Sequence, residues 1–221
     1  LNPAIAIFVK TPGFSPVKTR LGASYGQQAA EEWHRRAAEC VEAAATASRQ
    51  PAYWAVAEAE AMQHPLWRGM PRIAQGQGGL GRRMATVHAE LVRRHGAGIL
   101  IGADLPQIEA DHLRMATRWL DCDAPRHVLG PARDGGFWLF GANRTPDIAT
   151  WESVRYSRDD TAQEFVRAVD ATAWEMLEPL TDLDHAEDLP AVLRELEAID
   201  EPTDCQRRLA DWLEQRIAQA A

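Results

Sequence analysis

Two short runs, Ala4 to Val9 and Gly98 to Ala103, are apolar or glycine at every position, and each stops on polar or turn-forming residues. A strand with no polar face has to be covered on both sides. That requirement points to a parallel sheet between layers of helices rather than an antiparallel sheet wetted on one face. The intervening segments agree. From Tyr25 to Ser48 the apolar residues Trp33, Ala37, Cys40, Val41 and Ala44 recur at helical spacing in a stretch rich in Ala, Glu, Gln and Arg. The pattern predicts further strands at 52–57, 72–75, 127–130 and 137–140. Further helices are predicted at 80–95, 111–120, 160–171, 186–198 and 205–218. The expected fold class is α/β, a three-layer sandwich around a mostly parallel sheet. No repeat or Pro/Ser-rich linker divides it, so residues 1–221 are expected to form one domain.

Charge narrows the function. Thirty-two acidic against 24 basic side chains give a formal charge of -8, which disfavours nucleic acid and anionic membrane surfaces as partners. No apolar run approaches the ~20 residues of a membrane span. Cys40, Cys122 and Cys205 are too few and too dispersed for a disulfide framework, and the odd count suits a reducing, cytoplasmic setting.

In a parallel-rich sheet, ligands gather at the carboxyl ends of the strands. The first such loop reads Lys10-Thr11-Pro12-Gly13-Phe14-Ser15-Pro16-Val17-Lys18-Thr19-Arg20 and holds three cations. Lysine offers a point charge, arginine a planar fork, and Thr19 a hydroxyl, together an anion cradle. The competing reading is a solvated basic turn. Neither the P-loop nor the Gly-x-Gly-x-x-Gly pattern is present. Asp104 follows the strand ending at Ala103, as a metal ligand or a helix cap. Asp182 and Asp184 form a second acidic pair, although Asp184 with Glu187 also fits a capping box. Hard carboxylate oxygens suit Mg²⁺ or Mn²⁺. Gln75-Gly76-Gln77-Gly78-Gly79-Leu80-Gly81 lets backbone approach a base or ribose, or is a flexible turn. Arg133-Asp134-Gly135-Gly136-Phe137-Trp138 reads as a hairpin connection or as an acceptor site using Asp134, Gly135, Gly136 and Trp138. The histidines show no paired ligand spacing and read as structural or surface residues.

Taken in order, the segments 8–21, 75–84, 101–106, 130–141 and 182–189 resemble a bacterial family of GT-A-like enzymes, the radical-SAM/selenodomain-associated transferases 1. They are more distantly similar to the guanylyltransferases of molybdenum-cofactor and 2-phospholactate pathways. The resemblance implies a nucleotide-diphospho-sugar transferase fold. It puts Lys18 and Arg20 at nucleotide phosphates and a metal on Asp104, Asp182 and Asp184. Ser15, Gly79 and Trp138 depart from the family pattern, where Gly, Asp and Tyr are usual, and Trp138 implies a changed acceptor pocket. The resemblance leaves the reaction open, and the three cations of the first loop, which suit a triphosphate better than a diphosphate, make nucleotidyl transfer from an NTP to a small phosphorylated acceptor the expected one. Glycosyl transfer from an NDP-sugar, with Asp134 as base, and a non-catalytic nucleotide-binding regulator are the alternatives.

Overall fold

The computed structural model describes residues 1–220. Its frame is a seven-stranded sheet of β1 (Ala4–Val9), β2 (Ala52–Val56), β3 (Arg72–Ala74), β4 (Gly98–Gly102), β5 (His127–Pro131), β6 (Phe137–Ala142) and β7 (Trp174–Met176). The spatial order is β3-β2-β1-β4-β6-β5-β7, and only β6 runs against the others. β1 lies at the centre, with Ile7 beside Trp54 on one neighbour and Ile101 on the other. Its alternate residues serve two cores. Ile5, Ile7 and Val9 face one helical layer, and Ala4 and Ala6 the other.

Eight α-helices cover this frame: α1 (Thr19–Tyr25), α2 (Gln27–Ser48), α3 (Leu80–His95), α4 (Ala110–Leu120), α5 (Ile148–Ser153), α6 (Thr161–Val169), α7 (Leu189–Glu197) and α8 (Asp204–Ala220). Helices α2 and α4 pack on one sheet face through Val41, Ala45, Leu113 and Ala116. Helices α3, α5 and α6 cover the other through Met84, Leu91, Trp151 and Phe165. α2 also buries a second face. Trp33, Ala37 and Cys40 join Leu189, Val192, Leu209 and Leu213 in a third cluster that holds α7 and α8. None of the described helices is long and apolar enough to cross a membrane.

The expected strands and the six expected helices are present with ends moved by a few residues. Sequence patterning did not anticipate α1, α5 or β7. The chain that follows β7 stays beside β5, through Leu177 N–H to Leu129 O (2.9 Å), an Ala132–Leu180 bridge, and Arg133 N–H to Leu180 O (3.0 Å). This extension carries Asp182 and Asp184 to the edge where β1 and β4 end. The chain leaving β1 runs toward β2 and the chain leaving β4 runs toward β5, in opposite directions along the strand order, so a topological switch point lies between them.

Candidate active site

A cavity of about 810 Å³ opens at that switch point. Lys10, Lys18, Thr19, Arg20, Gln75, Leu80, Asp104, Asp134, Asp182 and Asp184 line it. The sequence-selected Thr11, Pro12, Gly78, Gly79, Gly81, Gly135, Gly136 and Trp138 do not. Thr11 is fully buried. Its N–H donates to Glu58 Oε2 (3.0 Å) and its Oγ1 accepts from Trp67 Nε1 (2.9 Å), which pins the start of the basic loop.

Lys18 governs the cavity's electrostatics. Its backbone is left-handed (φ 44°, ψ 48°), immediately before α1. The side chain is 5% exposed, and its ammonium stands among three carboxylates: Asp182 Oδ1 at 2.6 Å, Asp104 Oδ2 at 3.4 Å and Asp184 Oδ1 at 3.8 Å. Burial works against this charge, but Asp104, Asp182 and Asp184 outweigh it and raise the Lys18 pKa. Asp104 moves the opposite way: despite burial, Lys18 and His34 hold its carboxyl well below the usual range. Burial pushes Asp182 up to about 6, a rise that Asp104 and Asp184 reinforce and Lys18 opposes. Arg20 NH1 completes the network at 2.6 Å from Asp184 Oδ2.

Neither aspartate serves as the helix cap considered from sequence. Glu109 with His112 caps α4, and His185 with Asp188 closes the 3-10 turn Ala186–Asp188 ahead of α7. Leu183, fully buried in the third cluster, anchors the acidic pair between its two members. Among the described residues no group of three or more His, Cys, Asp or Glu side chains is already arranged around a metal position. The three carboxylates instead surround an ammonium.

His34 is the residue that sequence reasoning missed. It extends the sheet-facing stripe of α2, four residues before Ala38 and seven before Val41, and its Nδ1 lies 2.8 Å from Asp104 Oδ1. Nε2 donates to the Lys10 carbonyl (2.9 Å). One ring therefore ties the first loop to the aspartate after β4. Its burial favours the neutral form, but the Asp104 hydrogen bond and charge raise its pKa overall. The signal was positional: a histidine at an i, i+4, i+7 core position at the carboxyl-edge end of a helix.

Other selected residues have packing roles. Trp138 is 2% exposed, lies against Gly130, and donates from Nε1 to Glu178 O (3.1 Å), so the expected acceptor contact is replaced by a core one. A Cβ at Gly81 would stand 2.4 Å from Trp151 O, so that glycine permits α3 to approach α5. Arg133-Asp134-Gly135-Gly136 is the hairpin turn between β5 and β6, with Asp134 Oδ1 accepting from Gly136 N–H (2.9 Å). Against it lies the 157–159 segment, which presents Ser157, Arg158 and Asp159 to the cavity.

Comparison with known proteins fits this architecture. The family model described as "Uncharacterized protein conserved in bacteria (DUF2064)" matches residues 35–158. The chain is a member of DUF2064. The DUF2064 match includes the glycine-rich segment, Asp104 and the hairpin turn, and leaves out Lys18, Asp182 and Asp184. No curated protein matches the chain. The fold is similar to that of a Desulfovibrio desulfuricans G20 protein provisionally named a nucleotide-diphospho-sugar transferase. Identity is 22%, TM-score 0.81, and 97% of each chain is covered. It is also similar to CMP:2-keto-3-deoxy-manno-octonic acid synthetase complexed with CTP (12% identity, TM-score 0.51, 90% and 98% covered). A third similar structure is Rv0371c of Mycobacterium tuberculosis H37Rv with manganese (13% identity, TM-score 0.51, 90% and 100% covered). These likenesses establish a nucleotide-diphospho-sugar transferase-like fold for this DUF2064 chain.

Proposed function

We propose that this chain is a metal-dependent nucleotidyltransferase that moves the nucleotidyl group of an NTP to an oxygen of a small anionic acceptor, releasing pyrophosphate. One observation carries the reading. Asp104, Asp182 and Asp184 converge on a single cation at the switch point, beside the basic first loop. The motif order also supports a place among the radical-SAM/selenodomain-associated transferases 1.

The donor set fits Mg²⁺ or Mn²⁺: three hard carboxylate oxygens, with the Lys18 ammonium standing in for a cation. Asp104, Asp182 and Asp184 would hold the metal, which supplies charge neutralisation at the phosphates. Lys18 keeps the carboxylates together and competes with a dication for them. His34 fixes Asp104 from behind. Arg20, Lys10 and Thr19 present donors to the leaving phosphates, where preorganised charge stabilises the transition state. A phosphate or carboxylate acceptor is already ionised near neutrality, so its attack on the α-phosphorus requires no general base. The manganese-bound and CTP-bound relatives support the metal and the nucleotide.

A second reading has its own support, because the Desulfovibrio relative is named for nucleotide-diphospho-sugar transfer. A hydroxyl acceptor would then need a base, and Asp134 lines the cavity with one oxygen engaged by Gly136. Calorimetry with GTP, CTP, UTP, ATP, UDP-glucose and GDP-mannose, each with and without Mg²⁺, separates the two. We expect one NTP to bind in a Mg²⁺-dependent way, and Asp104→Asn to abolish that dependence while thermal unfolding stays cooperative. Binding of an NDP-sugar in preference to every NTP would establish the second reading. An Asp104→Asn protein with undiminished Mg²⁺-dependent binding would remove the metal assignment.

A further inference from the structure

The arginines lining the cavity are not equivalent. Arg20, Arg133 and Arg158 each pair with a carboxylate, on Asp184, Glu195 and Asp160 respectively. Arg83 also lines the cavity, and among the described residues it has no carboxylate within ion-pair distance. It is held by a neutral amide, Gln75, whose Oε1 accepts from Arg83 NH1 at 3.0 Å.

Gln75 is itself immobilised. It is 3% exposed, and its Nε2 donates to Val9 O (3.2 Å) and Ala55 O (2.8 Å), carbonyls of the two neighbouring strands β1 and β2. Both N–H groups are used on the sheet, so the amide oxygen points in a direction the sheet dictates. The Arg83 Nε is buried and has no hydrogen-bond partner. Leaving a buried donor unpaired is costly, and more so on a charged group. A full positive charge that lines the cavity, is aimed by a neutral group and has no carboxylate partner is suited to an incoming oxygen acceptor rather than to an internal ion pair.

We infer that Arg83 is a nucleotide-binding residue that donates to a nucleotide oxygen, on the phosphates or the base, and that Gln75 is the positioning residue that aims it. This rests on the cavity being a nucleotide site. Gln75 opens the glycine-rich segment and was selected from the sequence, whereas Arg83 lies two residues beyond its end and was not. The geometry moves the recognition to a side chain on the first turn of α3.

The test is calorimetry with Mg²⁺, using GTP, CTP, UTP, ATP and inorganic tripolyphosphate, on the wild type, Arg83→Met, Arg83→Lys, Gln75→Met and the Gln75→Met/Arg83→Met double variant. Arg83→Met should weaken the preferred NTP about tenfold or more. Arg83→Lys, which keeps the charge and aliphatic stem, should weaken it as well because an ammonium lacks the planar fork that Gln75 aims. If tripolyphosphate weakens in parallel, the contact is to the phosphates. If tripolyphosphate is unaffected, it is to the base. Gln75→Met should weaken NTP binding alone but add nothing in the Arg83→Met background, whereas a merely structural glutamine would give additive losses. A folded Arg83→Met or Arg83→Lys protein that binds the NTP within twofold of wild type overturns the inference while leaving the proposed function intact. A wild type that binds none of the nucleotides overturns both.

Discussion

His34 and His88 are both buried on helices, yet their surroundings drive them in opposite directions. His34 faces a carboxylate and a carbonyl, and its pKa rises. His88 is enclosed by Phe140 and Trp151, with ring centroids 5.2 and 5.9 Å away, and burial pushes its pKa down to about 3. The unfolded chain takes up a proton at His88 below about pH 6.5, whereas the folded chain resists until about pH 3. The resulting stability is fully present above 6.5 and declines as pH falls through that window, by about 1.4 kcal/mol per pH unit. Between pH 7.5 and 5.5 the wild type should therefore lose about 1.4 kcal/mol more than His88→Gln in urea unfolding. Equal losses would show that His88 is not the group being titrated. Sequence alone could not separate these histidines. Each lies on an apolar helix stripe, and what faces it comes from other segments of the chain.

The β5–β6 hairpin shows how an element can shape a cavity without lining it at every residue. Gly135 has φ +91°, and a Cβ there would stand 2.0 Å from Asp159 O. Its carbonyl accepts from Ala162 N–H (2.9 Å), docking the 157–159 segment onto the turn. Gly135→Ala should combine left-handed strain with overpacking and cost about 2–4 kcal/mol. Amide exchange at Ala162 should accelerate with it. An unchanged Ala162 rate would mean that the segment is held by other contacts. The turn was legible in Asp134-Gly135-Gly136, but its face was not. Phe137 to Phe140 is apolar throughout, so patterning could not reveal that Trp138 points into the core while Asp134 reaches the cavity. The unanticipated elements have equally physical causes. α5 is six residues and β7 three, too short for a period, while α1 contains Gly22 and starts from a left-handed lysine.

At the scale of the molecule, alternation of buried strands and amphipathic helices was enough for the fold class, because a strand apolar on both faces must be covered twice. The strand order was not accessible in that way. Nothing local records that the chain crosses back over β1 after β3, or that the segment following β7 returns to the β1–β4 edge. The candidate site was therefore legible as pieces, with Asp104, Asp182, Asp184, Lys18 and Arg20 all present in the reading. Their mutual arrangement, with Lys18 at the centre of the carboxylates, needed the fold. With a net charge of -8, the anion binding that the proposed function requires would be a local property of this edge.

That central lysine separates two properties that many metal proteins join. Where only a bound ion offsets a carboxylate cluster, the ion is part of the folding free energy, and chelation unfolds the chain. Here the offsetting charge is tethered to the backbone and present once per molecule, whatever the ionic composition outside. Excess EDTA should accordingly leave the thermal midpoint unchanged, and a fall of several degrees would show that an ion, rather than Lys18, holds the carboxylates together. With a covalently attached counter-ion, folding does not require a metal, so a metal bound as in the proposed function would act on turnover without being a condition for having folded protein.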